Sequence, residues 1–302
     1  MRFQDRDREI LEAIYKYGGM LSRRQLKEMF WPDSTNRAMN KRLTPLHRAG
    51  YVCWPTEEQR RTKPVPEPII WLGVTGILHI AGQEGNEIEE PANDGENQQR
   101  QLETTLRNSG IRWLREPNWN QIPHDLKVVD LWMAIEKATT EEPRFSLEYW
   151  IPEKEFRSRP DKVEFELRGQ KLSRRMIPDG YFVIIDEERR LRGESFRARF
   201  LLELDMATED NPRFEREKIA AGAAYLKSPE YKERFGVNAG RWLIVTSGET
   251  RMKNLIERTA PAAGEAAGLF LFSTLKEALE DNLLTSPIWR RVGKAEPQAL
   301  LL

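Results

Sequence analysis

Residues 22–50 read SRRQLKEMFWPDSTNRAMNKRLTPLHRAG, and this pattern predicts two helices joined by a turn. The first helix begins at Ser22, a residue type that caps helices, and is interrupted at Pro32. The second helix ends at Gly50, the residue type that most often follows a helix. Its apolar residues recur at helical spacing and are Met39, Leu43 and Leu46.

The flanking residues extend this pair into a longer order of elements. A preceding helix, capped by Asp5 or Asp7, ends at Gly18 and Gly19. Residues 51–54 and 69–72 predict two strands, joined by a polar, proline-rich tip. Helix, helix, helix, hairpin is the order of a winged helix-turn-helix domain, which the sequence predicts for residues 1–81.

Charge is concentrated in the same region, although the whole chain is formally neutral. Residues 1–56 contain eleven Lys or Arg and six acidic residues, an excess that suits contact with phosphates. Long polar side chains occupy the positions that the apolar faces leave over, and they predict contacts with duplex DNA. The candidate DNA-binding residues are Arg23, Arg24, Asn36, Arg37, Asn40, Lys41, Arg48, Arg60 and Arg61, with Arg42 and Lys63 as further candidates. The alternative is a three-helix protein-interaction module with a solvated polar face and a disordered tip.

Residues 82–99 are polar and acidic, and they predict a flexible linker to a second domain at 100–302. Beyond this linker, helical and strand patterns alternate, which favours a compact α/β domain. The predicted strands are 145–151, 176–185, 198–205, 241–246 and 269–273, and the predicted helices are 99–108, 124–138, 214–226, 250–259 and one from 274 onward. The predicted fold class is therefore mixed α/β with a mixed central sheet.

Two carboxylates lie on hydrophobic strands of this second domain. Asp179 stands in Pro-Asp-Gly and Glu203 in Leu-Glu-Leu-Asp, and a charge placed there is costly unless it is paired or bound to a metal. On adjacent strands the two could hold one Mg²⁺ or Mn²⁺, which prefer hard oxygen ligands. The alternative is turn chemistry at Asp179 together with a salt bridge to a nearby arginine.

Pro178-Asp179 and the strand bearing Glu203 resemble the core of the PD-(D/E)xK nuclease superfamily, which has a restriction-endonuclease-like fold. A second resemblance, to the replication-relaxation family, extends from about residue 5 to 250. It includes the N-terminal helices, and its motifs are Thr75-Gly76, Glu203-Leu204-Asp205, Thr208-Glu209 and Lys218. This resemblance implies a role in plasmid replication, in relaxation of supercoiled plasmid DNA and in mobile genetic elements.

The nuclease pattern has a lysine two residues after the glutamate, but this sequence has Asp205 there. Lys218, on the following helix, is the residue that could replace this lysine, and a solvated helix position is its alternative. Asp205 and His124 are candidate accessory residues. A salt bridge to Arg175, Arg199 or Arg213 is the alternative for Asp205, and helix capping or a core position is the alternative for His124.

Three functions are compatible with these patterns. The first is a duplex-DNA-binding protein of plasmid or mobile-element processing, working with other DNA-processing or relaxosome proteins. The second is a divalent-metal-dependent DNA endonuclease with Asp179, Glu203 and Lys218 as catalytic residues, and the third is a transcriptional regulator with an inactive second domain. The sequence leaves the enzyme question and a homodimer open. It shows no signal-peptide pattern and no apolar run long enough to cross a membrane, and it contains a single cysteine. A cytoplasmic location without membrane partners is therefore expected.

Overall fold

The computed structural model of the chain describes residues 3–63, 65–90, 95–207 and 211–301. Its contacts divide the chain into two compact units, Met1–Val129 and Asp130–Leu302, hereafter the first and second units. Among the described residues, no helix combines the length and apolarity that a membrane crossing requires.

The first unit contains the three helices and the returning strand of the predicted order, with additional elements. They are α1 (Asp5–Lys16), β1 (Met20–Ser22), α2 (Arg23–Phe30), α3 (Asn36–Arg48), β2 (Val52–Cys53), α4 (Glu57–Thr62), β3 (Ile69–Leu72), α5 (Val74–Gln83) and α6 (Glu96–Asn108); α7 (Ile122–Glu141) begins in this unit and ends in the second. The strands form an antiparallel sheet in the order β1-β3-β2. The predicted apolar residues Met39, Leu43 and Leu46 of α3 are buried.

The tip between β2 and β3 differs from the predicted loop because part of it is the helix α4. The Thr56 hydroxyl accepts a hydrogen bond from the Gln59 amide at 3.1 Å, and the Gln59 side chain accepts one from the Thr56 amide at 2.9 Å. This reciprocal capping box satisfies two amides that a helix start otherwise leaves unpaired. A polar segment can therefore be helical without an apolar face.

The division between the units lies further along the chain than the linker predicted at 82–99. That segment begins at the end of α5 and ends within α6, and Pro91–Asp94 lie outside the described residues. After α6, Trp113 Nε1 donates to the Leu72 carbonyl at 3.0 Å, and Trp71 Nε1 donates to the Arg115 carbonyl at 3.2 Å. These bonds attach the chain that follows α6 to β3, so it belongs to the first unit.

The second unit is built on a mixed six-stranded sheet in the order β11-β10-β9-β8-β7-β4. Its elements are β4 (Phe145–Pro152), α8 (Glu153–Ser158), β5 (Asp161–Leu167), β6 (Gln170–Met176), β7 (Gly180–Asp186), α9 (Glu187–Leu191), β8 (Arg197–Asp205), α10 (Asn211–Phe214), a π-helix (Glu215–Ala220), α11 (Ala221–Lys227), α12 (Pro229–Phe235), β9 (Arg241–Thr246), α13 (Glu249–Ala263), a 3₁₀ helix (Gly264–Leu269), β10 (Phe270–Thr274), α14 (Leu275–Glu280) and β11 (Arg290–Arg291). Strands β8, β9 and β10 are parallel, and the other pairs are antiparallel. The predicted mixed α/β class is confirmed.

One predicted strand, 176–185, is in fact parts of two different sheets. Met176 ends β6, which pairs with β5 as a separate two-stranded hairpin, and the central strand β7 begins only at Gly180. Helix α11 lies close to the sheet at Gly222. A Cβ there would lie 2.9 Å from Trp242 Nε1, which donates to the Gly222 carbonyl at 3.2 Å.

Candidate functional site

The outward face of α3 carries three cations that are exposed to solvent. Arg37, Lys41 and Arg48 are exposed, and helix geometry of 3.6 residues per turn places them within about 40° of one another. Among the described residues, none forms an ion pair with any of the three. The exposed amide side chain of Asn40 lies on the neighbouring position of the same face. This set, Arg37, Asn40, Lys41 and Arg48, is called the α3 stripe below.

Arg42, on the same helix, has a different role from the stripe. Its guanidinium donates from Nε and Nη2 to the two carboxylate oxygens of Asp7, whose side chain is fully buried. Asp7 also accepts a hydrogen bond from the Gln4 amide at 2.7 Å, which caps α1. This side chain therefore fastens α3 to α1, and its contact with DNA stays a prediction.

The other predicted DNA-binding residues have varied surroundings. Arg24 lies 3.1 Å from a Glu28 oxygen and 3.3 Å from a Glu67 oxygen, so its charge is partly neutralised. Lys63 lies 3.4 Å from Glu116 and over the Trp119 ring. Arg23 is half-buried at the start of α2, and the exposed members are Asn36 at the start of α3 together with Arg60 and Arg61 on α4.

In the second unit, the sheet brings together Asp179, which directly precedes β7, and Glu203, which lies on the neighbouring strand β8. Strands β7 and β8 pair Gly180 with Leu202, so the next step of that register sets Asp179 opposite Glu203. Both residues are buried, at 5 % exposure each. The Asp179 carboxylate also accepts a hydrogen bond from the Leu204 amide at 2.7 Å, which fixes it against β8.

Lys218 reaches the same point from the following helical segment. Its ammonium lies 2.6 Å from Glu203 Oε1, with the glutamate side chain 7 % exposed and the lysine side chain 27 % exposed. Lys218 stands in the π-helix, a geometry that occurs often at functional sites. The structure thus brings Glu203 and Lys218 together, with Asp179 directly before the adjoining strand β7.

Asp205 has a partner that the sequence did not indicate. Arg251 Nε lies 2.5 Å from Asp205 Oδ2, and the same guanidinium donates to Asn211 Oδ1. The predicted alternative partners were Arg175, Arg199 and Arg213, and the observed one comes instead from α13. Asp205 and Arg251 are both nearly buried and attach α13 to the end of β8.

A cavity of about 540 Å³ opens beside the Glu203–Lys218 pair. Five cations line it, namely Arg157, Lys162, Arg174, Arg175 and Lys218, together with three carboxylates, Glu153, Glu203 and Glu217. Burial alone would raise the pKa of Glu217, but hydrogen bonding from Arg216 and the charge of Arg174 outweigh it and lower that pKa. The cavity is therefore cationic at neutral pH.

Two carboxylates are a suitable donor set for Mg²⁺ or Mn²⁺. Among the described residues, no group of three His, Cys, Asp or Glu side chains is placed to hold a metal ion. Magnesium often takes only one or two carboxylates and completes its shell with waters and substrate phosphates. Asp179 and Glu203 fit that arrangement, since both are buried oxygen donors, one directly before β7 and the other on β8.

The remaining predicted residues contribute less. His124 lies in the first unit, where its Nδ1 is 3.5 Å from an Asp125 oxygen, and its accessory role stays a prediction. Thr208-Glu209, part of the motif set, lies outside the described residues. Sequence reasoning missed Lys162 and Arg175, although an alternating polar pattern over 161–176 could have indicated their hairpin.

Comparison with known sequences gives one match that spans most of this architecture. A family model described as replication-relaxation matches residues 11–238, more than half of the chain. The matched range includes the α3 stripe, Asp179, Glu203 and Lys218. No match is found among curated proteins.

Proposed function

This chain belongs to the replication-relaxation family, and on that premise we propose that it binds duplex DNA during replication or relaxation of plasmid or mobile-element DNA. In this proposal the first unit acts as a winged helix-turn-helix domain, with α3 in the major groove. Relaxosome partners, a homodimer and a cytoplasmic location are further proposals.

The observation that carries the proposal is the α3 stripe. Surface arginines and lysines commonly pair with nearby acids, as Arg24 does with Glu28. By contrast, no described carboxylate pairs with Arg37, Lys41 or Arg48. Three unneutralised cations on one helix face, with an asparagine between them, match the donors that phosphates and base edges require.

Duplex binding measured as a function of salt tests this surface. The double variant Arg37→Ala, Lys41→Ala should bind a labelled duplex more weakly, and the slope of log K against log salt should fall by about 2. A matched control is Arg100→Ala, Arg107→Ala, which removes two exposed cations from α6 of the same unit. The control should keep the wild-type slope. Equal slopes for the wild type and the α3 double variant would contradict the proposal.

A second candidate function, metal-dependent cleavage of DNA, is favoured by the contact of Lys218 with Glu203. Asp179 and Glu203 would hold the cation, and the bound cation would activate a water and polarise a phosphoryl oxygen. The Lys218 ammonium, half-buried beside Glu203, would stabilise negative charge on the phosphate. The order of antiparallel and parallel strands around β8 is compatible with the restriction-endonuclease-like fold proposed for this unit.

Nicking of supercoiled plasmid with Mg²⁺ or Mn²⁺ tests the second function. Cleavage should be lost in Asp179→Asn, Glu203→Gln and Lys218→Gln, while duplex binding is retained. Glu249→Gln, an exposed carboxylate of α13, is the control and should cleave normally. A wild-type chain that never nicks the plasmid would contradict the nuclease function and leave the binding function, including that of a regulator with an inactive second unit.

A further inference from the structure

The cationic cavity of the second unit has a charge distribution that the proposed cleavage chemistry does not explain. Each carboxylate on its wall already has a cation. Arg157 lies 2.6 Å from Glu153, and Arg174 lies 2.5 Å from Glu217. With Lys218 on Glu203 as the third pair, these contacts neutralise all three acids of the lining.

Two lining cations are left over, and both belong to the β5–β6 hairpin. Lys162 and Arg175 are exposed, and no carboxylate of the described chain forms an ion pair with either of them. The wall thus carries two positive charges beyond those that its own acids balance. Such a local excess attracts anions, above all where the surrounding walls limit access of water.

The hairpin register places the two excess positive charges next to each other. Lys162 and Arg175 are direct cross-strand partners, so their side chains leave the same face of the hairpin side by side. Like charges placed directly opposite each other destabilise a strand pair. The other pairs on this face are Glu164 with Ser173 and Glu166 with Lys171, and neither has that repulsion. An anion bound between Lys162 and Arg175 would remove it.

We propose that Lys162 and Arg175 bind a phosphodiester group of a DNA strand and lead that strand to the Glu203–Lys218 pair. Two adjacent cations with a hydroxyl nearby, Ser173, suit the charge and the acceptor oxygens of a phosphate. The lining residues Lys162, Arg175, Glu203 and Lys218 share one cavity of about 540 Å³, so a phosphate on the hairpin lies in the same cavity as the candidate cleavage residues. This inference rests on the proposed binding of DNA.

Salt-dependent duplex binding by the full chain tests the hairpin site separately from the α3 stripe. Lys162→Gln, Arg175→Gln should lower the log–log salt slope by about 2, both in the wild type and in the Arg37→Ala, Lys41→Ala background. Lys171→Gln, Lys232→Gln is the matched control, because it removes two exposed cations outside the cavity lining. The control should leave the slope unchanged. The charge-conserving swap Lys162→Arg, Arg175→Lys should have most of the wild-type salt slope.

The thermal midpoint separates binding from folding. Because the two cations repel each other, the glutamine variant should unfold at the wild-type temperature or slightly above it. If the glutamine variant has a lower thermal midpoint, and the charge-conserving swap does not restore the salt slope of duplex binding, the pair has a structural role. That result would overturn the inference.

Two further results would also overturn it. An unchanged salt slope in the hairpin variant overturns this inference alone, whereas a wild-type chain that binds no duplex removes the proposed function as well. Binding of inorganic phosphate by the wild type and the hairpin variant is the last measurement. Phosphate binding that depends on Lys162 and Arg175, with a normal DNA slope, would identify a site for the free ion rather than for a DNA strand.

Discussion

The α3 stripe of the first unit and the candidate site of the second unit use charged side chains in opposite ways. On α3 of the first unit, Arg37, Lys41 and Arg48 extend into solvent without acidic partners among the described residues. In the second unit, the acids of the candidate site are buried, and ion pairs hold Glu203 and Asp205 to neighbouring elements. An exposed, unpaired cation adds little to folding and is available to a ligand, whereas a buried pair is part of the structure that holds the fold together.

The largest effect on stability is expected at Arg42, because this residue lies on the same helix as the exposed stripe but pairs with a buried carboxylate. Arg42→Ala leaves the buried Asp7 carboxylate without its guanidinium, so the free energy of unfolding should fall by about 4 kcal/mol. Chemical denaturation of the full chain measures this. Asp7→Asn, Arg42→Gln removes both charges and should be less destabilised than Arg42→Ala. A loss under about 1 kcal/mol for Arg42→Ala would show that the pair is not structural.

Arg251 is the corresponding position in the second unit. Arg251→Ala removes the partner of the buried Asp205 and the contact with the Phe214 ring, so stability should fall by about 3 kcal/mol. Each carboxylate keeps one backbone hydrogen bond, Asp7 from the Gln4 amide and Asp205 from the Ala207 amide. The loss should be somewhat smaller than at Arg42, because the Asp205 side chain is 3 % exposed to solvent whereas that of Asp7 is fully buried. Denaturation followed by tryptophan fluorescence checks the size and the order of the two effects.

Glu217 extends the comparison to the pH dependence of stability. Its pKa lies below the ordinary value of 4.5; burial raises it, but hydrogen bonding from Arg216 and the charge of Arg174 outweigh burial. A lowered pKa means that the ionised form stabilises the fold above about pH 4.5, and this contribution is lost as pH falls through the folded-state value. Glu217→Gln should therefore be less stable than wild type at neutral pH, and the difference should shrink in acid. A pH-independent difference would contradict this.

Lys41→Ala is the smallest effect expected. Lys41 is exposed and next to Arg42 in sequence, yet its loss should change the free energy of unfolding by less than about 0.5 kcal/mol. The same variant should weaken duplex binding, so stability and affinity separate at one residue. A stability loss as large as that of Arg42→Ala would show that the stripe is part of the packing.

The sequence predicted what periodicity and caps encode, and little of what depends on distant partners. Helical spacing placed Met39, Leu43 and Leu46 on the buried side of α3, as observed. The pairing of Asp205 with Arg251 could not be predicted, because it joins a strand end to a helix of a later element. Nor could periodicity show that Lys218 meets Glu203, since that contact depends on the local winding of the helix.

Thr75-Gly76 shows how a motif quoted only for its resemblance acquires a physical reason. A Cβ on Gly76 would lie 2.0 Å from the Tyr51 carbonyl oxygen, and one on Gly50 would lie 2.8 Å from the Thr75 hydroxyl. Helix α5 therefore packs directly on the residues that follow α3. Sequence alone could mark Thr75-Gly76 as a motif, but only the folded backbone shows that close packing requires a glycine at 76.

The π-helix that carries Lys218 has a consequence for insertions and deletions. Its hydrogen bonds run one residue further than those of an α-helix, so each turn accommodates about one extra residue. Deleting a single residue between Glu215 and Ala220 would remove this extra residue and allow ordinary α winding, but it would change the angle at which the Lys218 side chain leaves the helix. This short segment should therefore tolerate substitution far better than a change in length, because its phase aims Lys218 at Glu203.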